Sequence, residues 1–265
     1  MRFDRPQRVV YEQNPLAEVV CQIRFPRILQ IDNELPVAFQ NRIRSEYPIA
    51  QLEQPFLSLF GRVSPAPEPI SASMPLPANE RTFQFLSADK KWKASLSSGF
   101  IALTAVASYE RWEGFRSRLE ALLHLVQEIY EPTLCERIGL RYTDVIVRSE
   151  LGLSAAQWKE LVAPQLVSAF TTPPINEEDL VAGESLIVLR IEGGMVSIRV
   201  RFVVPDGSNE TACVIDSDFF LEGDRPYHAT SALATLDEFN AQAGGLFQWC
   251  ITPRLHKALC PQPVR

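Results

Sequence analysis

Residues 16–25 read Leu-Ala-Glu-Val-Val-Cys-Gln-Ile-Arg-Phe, and residues 137–147 read Arg-Ile-Gly-Leu-Arg-Tyr-Thr-Asp-Val-Ile-Val. In the first stretch Val19, Cys21, Ile23 and Phe25 alternate with Val20, Gln22 and Arg24, the period-2 pattern of a strand with one apolar and one mixed face. The second stretch repeats its aliphatic–Arg–aromatic core: Ile23-Arg24-Phe25 is matched by Leu140-Arg141-Tyr142. The segments downstream of the two stretches are also alike. After the first come apolar residues four apart (Leu35, Phe39, Ile43, Tyr47), stopped by Pro48, which read as an amphipathic helix. Strand patterns come next, around 51–60, 82–86, 92–96 and 100–106. A long helix over 110–130 then carries Trp112, Phe115, Leu119, Leu122, Leu123, Val126 and Ile129.

After the second stretch, residues 155–170 carry Trp158, Leu161, Val162 and Leu166 at helical spacing. Strands are expected at 186–191, 195–204 and 212–221, the first two joined through the Glu192-Gly193-Gly194 hairpin signal. The last helix begins near Thr230 with Leu233, Leu236, Ala243, Phe247 and Ile251, and is expected to kink or restart at Gly244-Gly245. The expectation is an α+β protein. A duplicated strand–helix–(three or four strands)–helix unit, residues 1–131 and 132–265, would form one large curved antiparallel sheet with its helices on one face. Element order resembles the saddle fold of the TATA-binding protein; the alternative is a helix-grip cup around one long helix.

Five of the 20 prolines fall within residues 65–77, an extended connection. The chain of 265 residues has 46% apolar residues and a net charge of −6, which disfavours non-specific coating of nucleic acid. Residues 1–131 hold 15 basic and 15 acidic side chains, and residues 132–265 hold 11 and 17. No apolar run is long enough to span a membrane, and the N-terminus lacks a signal-peptide core. Five scattered cysteines without a CxxC pair read as reduced thiols of a cytoplasmic protein.

The opening Asn14-Pro15-Leu16-Ala17-Glu18-Val19-Val20-Cys21-Gln22-Ile23-Arg24-Phe25 resembles the start of a sporadically distributed family of uncharacterised bacterial proteins. Residues 138–142, 215–218 and Ile251-Thr252 match further pieces of that family's pattern. The resemblance implies a shared fold and a bacterial source; it carries no activity, cofactor or catalytic residue.

Four constellations could carry chemistry. Asp216 and Asp218 lie two apart on a strand and so share a face. They could hold Mg²⁺ or Ca²⁺ with Glu222 or Asp224; the preferred reading is an open face exposed to water or ion pairs with Arg199 and Arg201. Glu18, Gln22 and Arg24 share one strand face, and Arg137, Arg141 and Thr143 share another. If these strands meet, Glu18 would clasp Arg141 between the repeats, or the strip would bind an anion. Asp89-Lys90-Lys91-Trp92-Lys93 places three lysines and a tryptophan at a hairpin tip, either a solvated turn or a phosphate-and-base grip. Leu246, Phe247 and Trp249 either pack on the sheet or form a docking surface. His124, His228 and His256 are isolated, and no local catalytic or nucleotide-binding motif is present.

The resulting expectation is a non-catalytic cytoplasmic binding or assembly protein with a protein partner and no cofactor. The rivals are a nucleic-acid binder using the open sheet with Lys90, Lys91, Trp92 and Lys93, and a metal-dependent hydrolase centred on Asp216 and Asp218.

Overall fold

The computed structural model describes residues 3, 9–53, 81–106, 109–180, 182–205 and 210–263. Along the chain run β1 (Val9–Tyr11), β2 (Leu16–Arg24), α1 (Leu29–Asn33), α2 (Val37–Ile43), β3 (Ile49–Glu53), β4 (Thr82–Leu86), β5 (Trp92–Ser97), β6 (Phe100–Val106) and α3 (Trp112–Tyr130). Then come β7 (Leu134–Ile146), α4 (Pro164–Thr171), β8 (Gly183–Ile191), β9 (Gly194–Val203), β10 (Ala212–Pro226), α5 (Ala229–Cys250), α6 (Pro253–Ala258) and β11 (Pro261–Pro263). The strand expected around 51–60 is present as β3; its remainder and the proline-rich stretch lie outside the described residues.

Nine strands form one antiparallel sheet in the order β3-β4-β5-β6-β2-β7-β10-β9-β8, with β3 and β8 as free edges. The two arginine-bearing strands are its centre: β2 pairs with β7, Cys21 opposite Leu140 and Ile23 opposite Ile138. Outward from that pair the order reads β6, β5, β4 on one side and β10, β9, β8 on the other. A separate two-stranded ribbon, β1 with β11, ties the two ends of the described chain together.

Alternation sends Val19, Cys21, Ile23, Leu140, Ile215 and Phe219 to the helix side, where all are buried. The long helices α3 and α5 share that face, so the sheet does not wrap a single helix as a cup would. Rings bind the layers: Phe39 of α2 against Phe85, Phe115 of α3 against Trp92, Phe239 of α5 against Phe219. Between the helices, Asp237 of α5 accepts from Trp112 Nε1 at 2.7 Å and from Arg116 Nε at 3.0 Å.

Three local expectations are corrected. The helix foreseen over 155–170 is split into a 3₁₀ turn at Trp158–Glu160 and α4, because Pro164 forces Ala163 into an extended conformation and itself takes the first helical position. Gly244-Gly245 does not interrupt α5, which is held down by buried Leu246 and Cys250 beyond the pair. The buried stripe of α5 continues through Phe239, Leu246 and Cys250, leaving Ala243 and Phe247 at its flank.

Two glycines should respond oppositely to alanine. Gly194 opens β9 so close to the carbonyl oxygen of Phe220 that a Cβ would collide with backbone, whereas a Cβ at Gly244 meets nothing within 4 Å. In urea unfolding, G194A should lose about 1–3 kcal/mol by overpacking. G244A should gain about 0.5–1 kcal/mol by removing helix-interior glycine entropy.

Candidate functional site

The face of the sheet turned away from the helices carries a charged strip. From β2 come Glu18, Val20, Gln22 and Arg24; from β7, Arg137, Gly139, Arg141 and Thr143; from β10, Asp216 and Asp218; from β9, Ser197, Arg199 and Arg201. A depression of about 220 Å³ is lined by Gln22, Arg24, Arg137, Arg141, Arg199, Asp216 and Asp218, among others. The sequence-nominated residues Gln22, Arg24, Arg141, Asp216 and Asp218 are thus brought together.

Their pairing differs from expectation. Arg141 does not clasp Glu18; it donates bidentately to Asp216, Nε at 2.8 Å from Oδ1 and Nη2 to Oδ2. Arg137 Nη2 donates to Asp218 Oδ2 at 2.7 Å. In the register Arg141 faces Asp218 and Arg137 faces Glu222, so each guanidinium reaches diagonally along β10. The partners foreseen for the aspartates, Arg199 and Arg201, stand further off. Arg201 Nη2 is 3.9 Å from Asp216, and Arg199 Nε is 3.5 Å from Glu184. Gly139 lies between the two arginines of β7, and the Arg137 guanidinium occupies the space a Cβ there would need.

Burial sharpens these charges. Desolvation works against the Arg141 cation, yet its hydrogen bonds to Asp216 hold it above the ordinary arginine value. Burial pushes Asp218 up even with Arg137 beside it. Arg201 is lowered, first by burial and then by its like-charged neighbours Arg141 and Arg199. Four arginines and two aspartates line the depression, and at its margin Glu184 stands 3.5 Å from Arg199 Nε and Glu222 4.0 Å from Arg137 Nε. Arg24 sits directly opposite Arg137. The Nε groups of Arg199 and Arg201 are buried without a hydrogen-bond partner. Such unsatisfied donors are costly unless an acceptor is supplied.

Among the described residues, no group of three or more His, Cys, Asp or Glu is placed to hold a metal ion. Both aspartates nominated as metal ligands are engaged by arginine. At the hairpin tip, Trp92 faces the helix layer under Arg118, 4.7 Å over its ring, while Lys93 points to the opposite face. Lys90 and Lys91 lie in the turn between β4 and β5, so lysines and tryptophan do not form one grip. Trp249 and Phe247 are covered from the chain's own N-terminal side by Phe3 and Tyr11. The buried thiols of Cys21, Cys213 and Cys250 are pushed up by desolvation, which suppresses nucleophilic thiolate. Among the described residues no helix is long and apolar enough to cross a membrane.

A second concavity has no counterpart among the sequence expectations. On the helix side a cavity of about 620 Å³ lies between β1, the start of α3, β7 and the C-terminal half of α5. Its lining includes Asp144, in register with Ile215 and 7% exposed. Burial, then the charge of Asp216, pushes Asp144 up to about 8. Tyr11, also lining the cavity, is pushed up to about 12 by burial and Asp144, and shares a 2.8 Å hydrogen bond with His256 Nδ1. One signal of it stands in the sequence: Asp144 occupies an apolar-phase position of its strand.

No protein-family model, curated protein or solved structure matches the chain.

Replacing Arg141 by Met leaves Asp216, with a 6% exposed side chain, only Arg201 within 4 Å among the described cations, at 3.9 Å. The expected loss is about 2–3 kcal/mol in urea unfolding, below the ~3–5 of a fully buried pair because Arg141 is partly exposed; R141M/D216V should recover most of it. Asp144 gives a pH signature. Its folded value lies above the unfolded value, so its contribution to stability is greatest below about pH 4 and is lost as pH rises through about 8. The melting temperature of D144N relative to wild type should therefore rise between pH 5 and pH 9.

Proposed function

We propose that this protein is a non-catalytic bacterial binding or assembly module that holds an acidic segment of a protein partner on the open face of its sheet, in the cytoplasm. The observation that carries the reading is the arginine-lined depression: Arg24, Arg137, Arg141 and Arg199 around two aspartates, with the buried Nε groups of Arg199 and Arg201 lacking a hydrogen-bond partner. Guanidinium groups with free N–H edges suit carboxylates, which they bind through paired hydrogen bonds. Asp216 and Asp218 hold Arg141 and Arg137 in fixed positions, leaving Arg24, and Arg199 with only its 3.5 Å contact to Glu184, to receive an incoming anion. The strand order, mirrored about β2 and β7, supports a duplicated origin of the two halves. The bacterial source rests on the opening motif.

A fluorescent hexaglutamate peptide, its hexaglutamine counterpart and a single-stranded oligonucleotide test the reading by anisotropy at low salt. Hexaglutamate should bind in preference to the other two, and R24Q/R199Q should weaken it by about tenfold. NaCl at about 0.5 M should abolish the interaction. Tighter binding of the oligonucleotide would replace the acidic partner with nucleic acid, and hexaglutamate binding unaltered by R24Q/R199Q would sink the site.

A further inference from the structure

The cavity on the helix side lies across the sheet from the arginine strip, which occupies the other face. Its walls are aromatic and its floor is acidic. Tyr109 and Tyr142 meet edge-on at 6.0 Å between centroids, and Tyr11 meets Phe247 at 5.7 Å. Tyr142 is further fixed by donating to Asn240 Oδ1 of α5 at 3.0 Å. Asp144 is more than nine-tenths buried, and among the described residues no hydrogen-bond donor or cation reaches its carboxyl. The other charged or titratable groups facing it are Glu110, Arg111 and Glu113 before and within the first turn of α3, Tyr11 of β1, Cys250 of α5 and Asp216 on the far side of the sheet. Acids therefore outnumber the single base.

The negative faces of aromatic rings and an unpaired carboxyl both favour a cation and disfavour an anion. A volume of about 620 Å³ is that of a small-molecule site. From this combination we propose that the cavity binds a small organic cation, an amine or quaternary ammonium with an apolar body, whose charged nitrogen meets Asp144 among Tyr11, Tyr109 and Tyr142. Asp144, pushed up to about 8, is mostly protonated at neutral pH. A cation that requires the carboxylate form sends that proton to solvent, close to one for each cation bound. Gly244 lies on the wall with open space where its Cβ would stand, so the site can be narrowed without a clash.

Calorimetry with phenethylamine, 2-phenylethanol and 3-phenylpropionate, in two buffers of different ionisation enthalpy at pH 7, tests the assignment. Phenethylamine should bind at least about tenfold more tightly than the alcohol, and 3-phenylpropionate more weakly than both. The amine's heat should differ between buffers by nearly one released proton. D144N should bring amine and alcohol within about twofold and remove the buffer dependence. G244L should weaken amine and alcohol together. Equal affinity for the three probes, no binding of any, or an amine preference that survives in D144N would overturn the proposal. Should D144N fail to fold, the wild-type buffer dependence decides: its absence refutes the role of Asp144.

Discussion

The antiparallel pairing of β2 with β7 is the contact on which the rest of the structure depends. These strands lie far apart in sequence, and each is the inner edge of a smaller group: β3 to β6 with β2, and β8 to β10 with β7. Separated, each group would present a long central strand with unpaired N–H and C=O groups and an apolar face lacking half its helix cover. Joined, they form one sheet wide enough for α3 and α5 to lie side by side, linked through Asp237 to Trp112 and Arg116. The same pairing sets the charged strip. Register places Arg24 opposite Arg137 and Gln22 opposite Gly139, so a one-residue slip would send every one of these side chains into the helix layer.

Local periodicity carried most of the fold. Strand alternation in 16–25 and 137–147 and the apolar spacing of 110–130 survive because the side chains that define them are the ones buried. The expected helix over 155–170 failed at a local rule, the effect of Pro164 on the residue before it. The expected kink at Gly244-Gly245 failed for the opposite reason: tertiary packing outweighed a weak propensity. At the site, alternation alone brought Asp216, Asp218, Arg141 and Arg24 to one face. Which arginine takes which carboxylate was not legible, because it depends on diagonal reaches of two residues for Arg141 and four for Arg137, between strands whose neighbour relation is set only by the whole sheet. The cavity was less legible still, since its walls come from β1, the start of α3, β7 and α5 and converge only in the folded chain.

The strip also shows why two aspartates on one strand face need not mean a metal. A divalent ion and a guanidinium solve the same problem, two like charges held near each other out of water. Here β7 supplies the solution from within the chain: Arg141 and Arg137, four apart, meet Asp216 and Asp218, two apart, because Arg137 reaches further along β10, with Gly139 leaving room for its guanidinium. Once both carboxylates are matched, further cations on the same face have no internal counterpart. Among the described residues Arg24 is in that position, and Arg199 has only the looser Glu184 contact at 3.5 Å, so this is where an external acceptor lowers the electrostatic energy most.

The two concavities are back to back. Asp216 faces the open strip, and Asp144, on the adjacent strand and one step along the register, faces the helices. Their carboxyls repel through the thickness of the sheet, and the repulsion acts asymmetrically because only Asp216 has a guanidinium bound to it. The cost of burial falls on Asp144, which burial and the Asp216 charge push up so that it keeps its proton. The arrangement gives one protein a cation-rich face and, a strand's thickness away, an acid-floored cavity. Removing Arg141 would remove the group that keeps the two carboxyls chemically distinct.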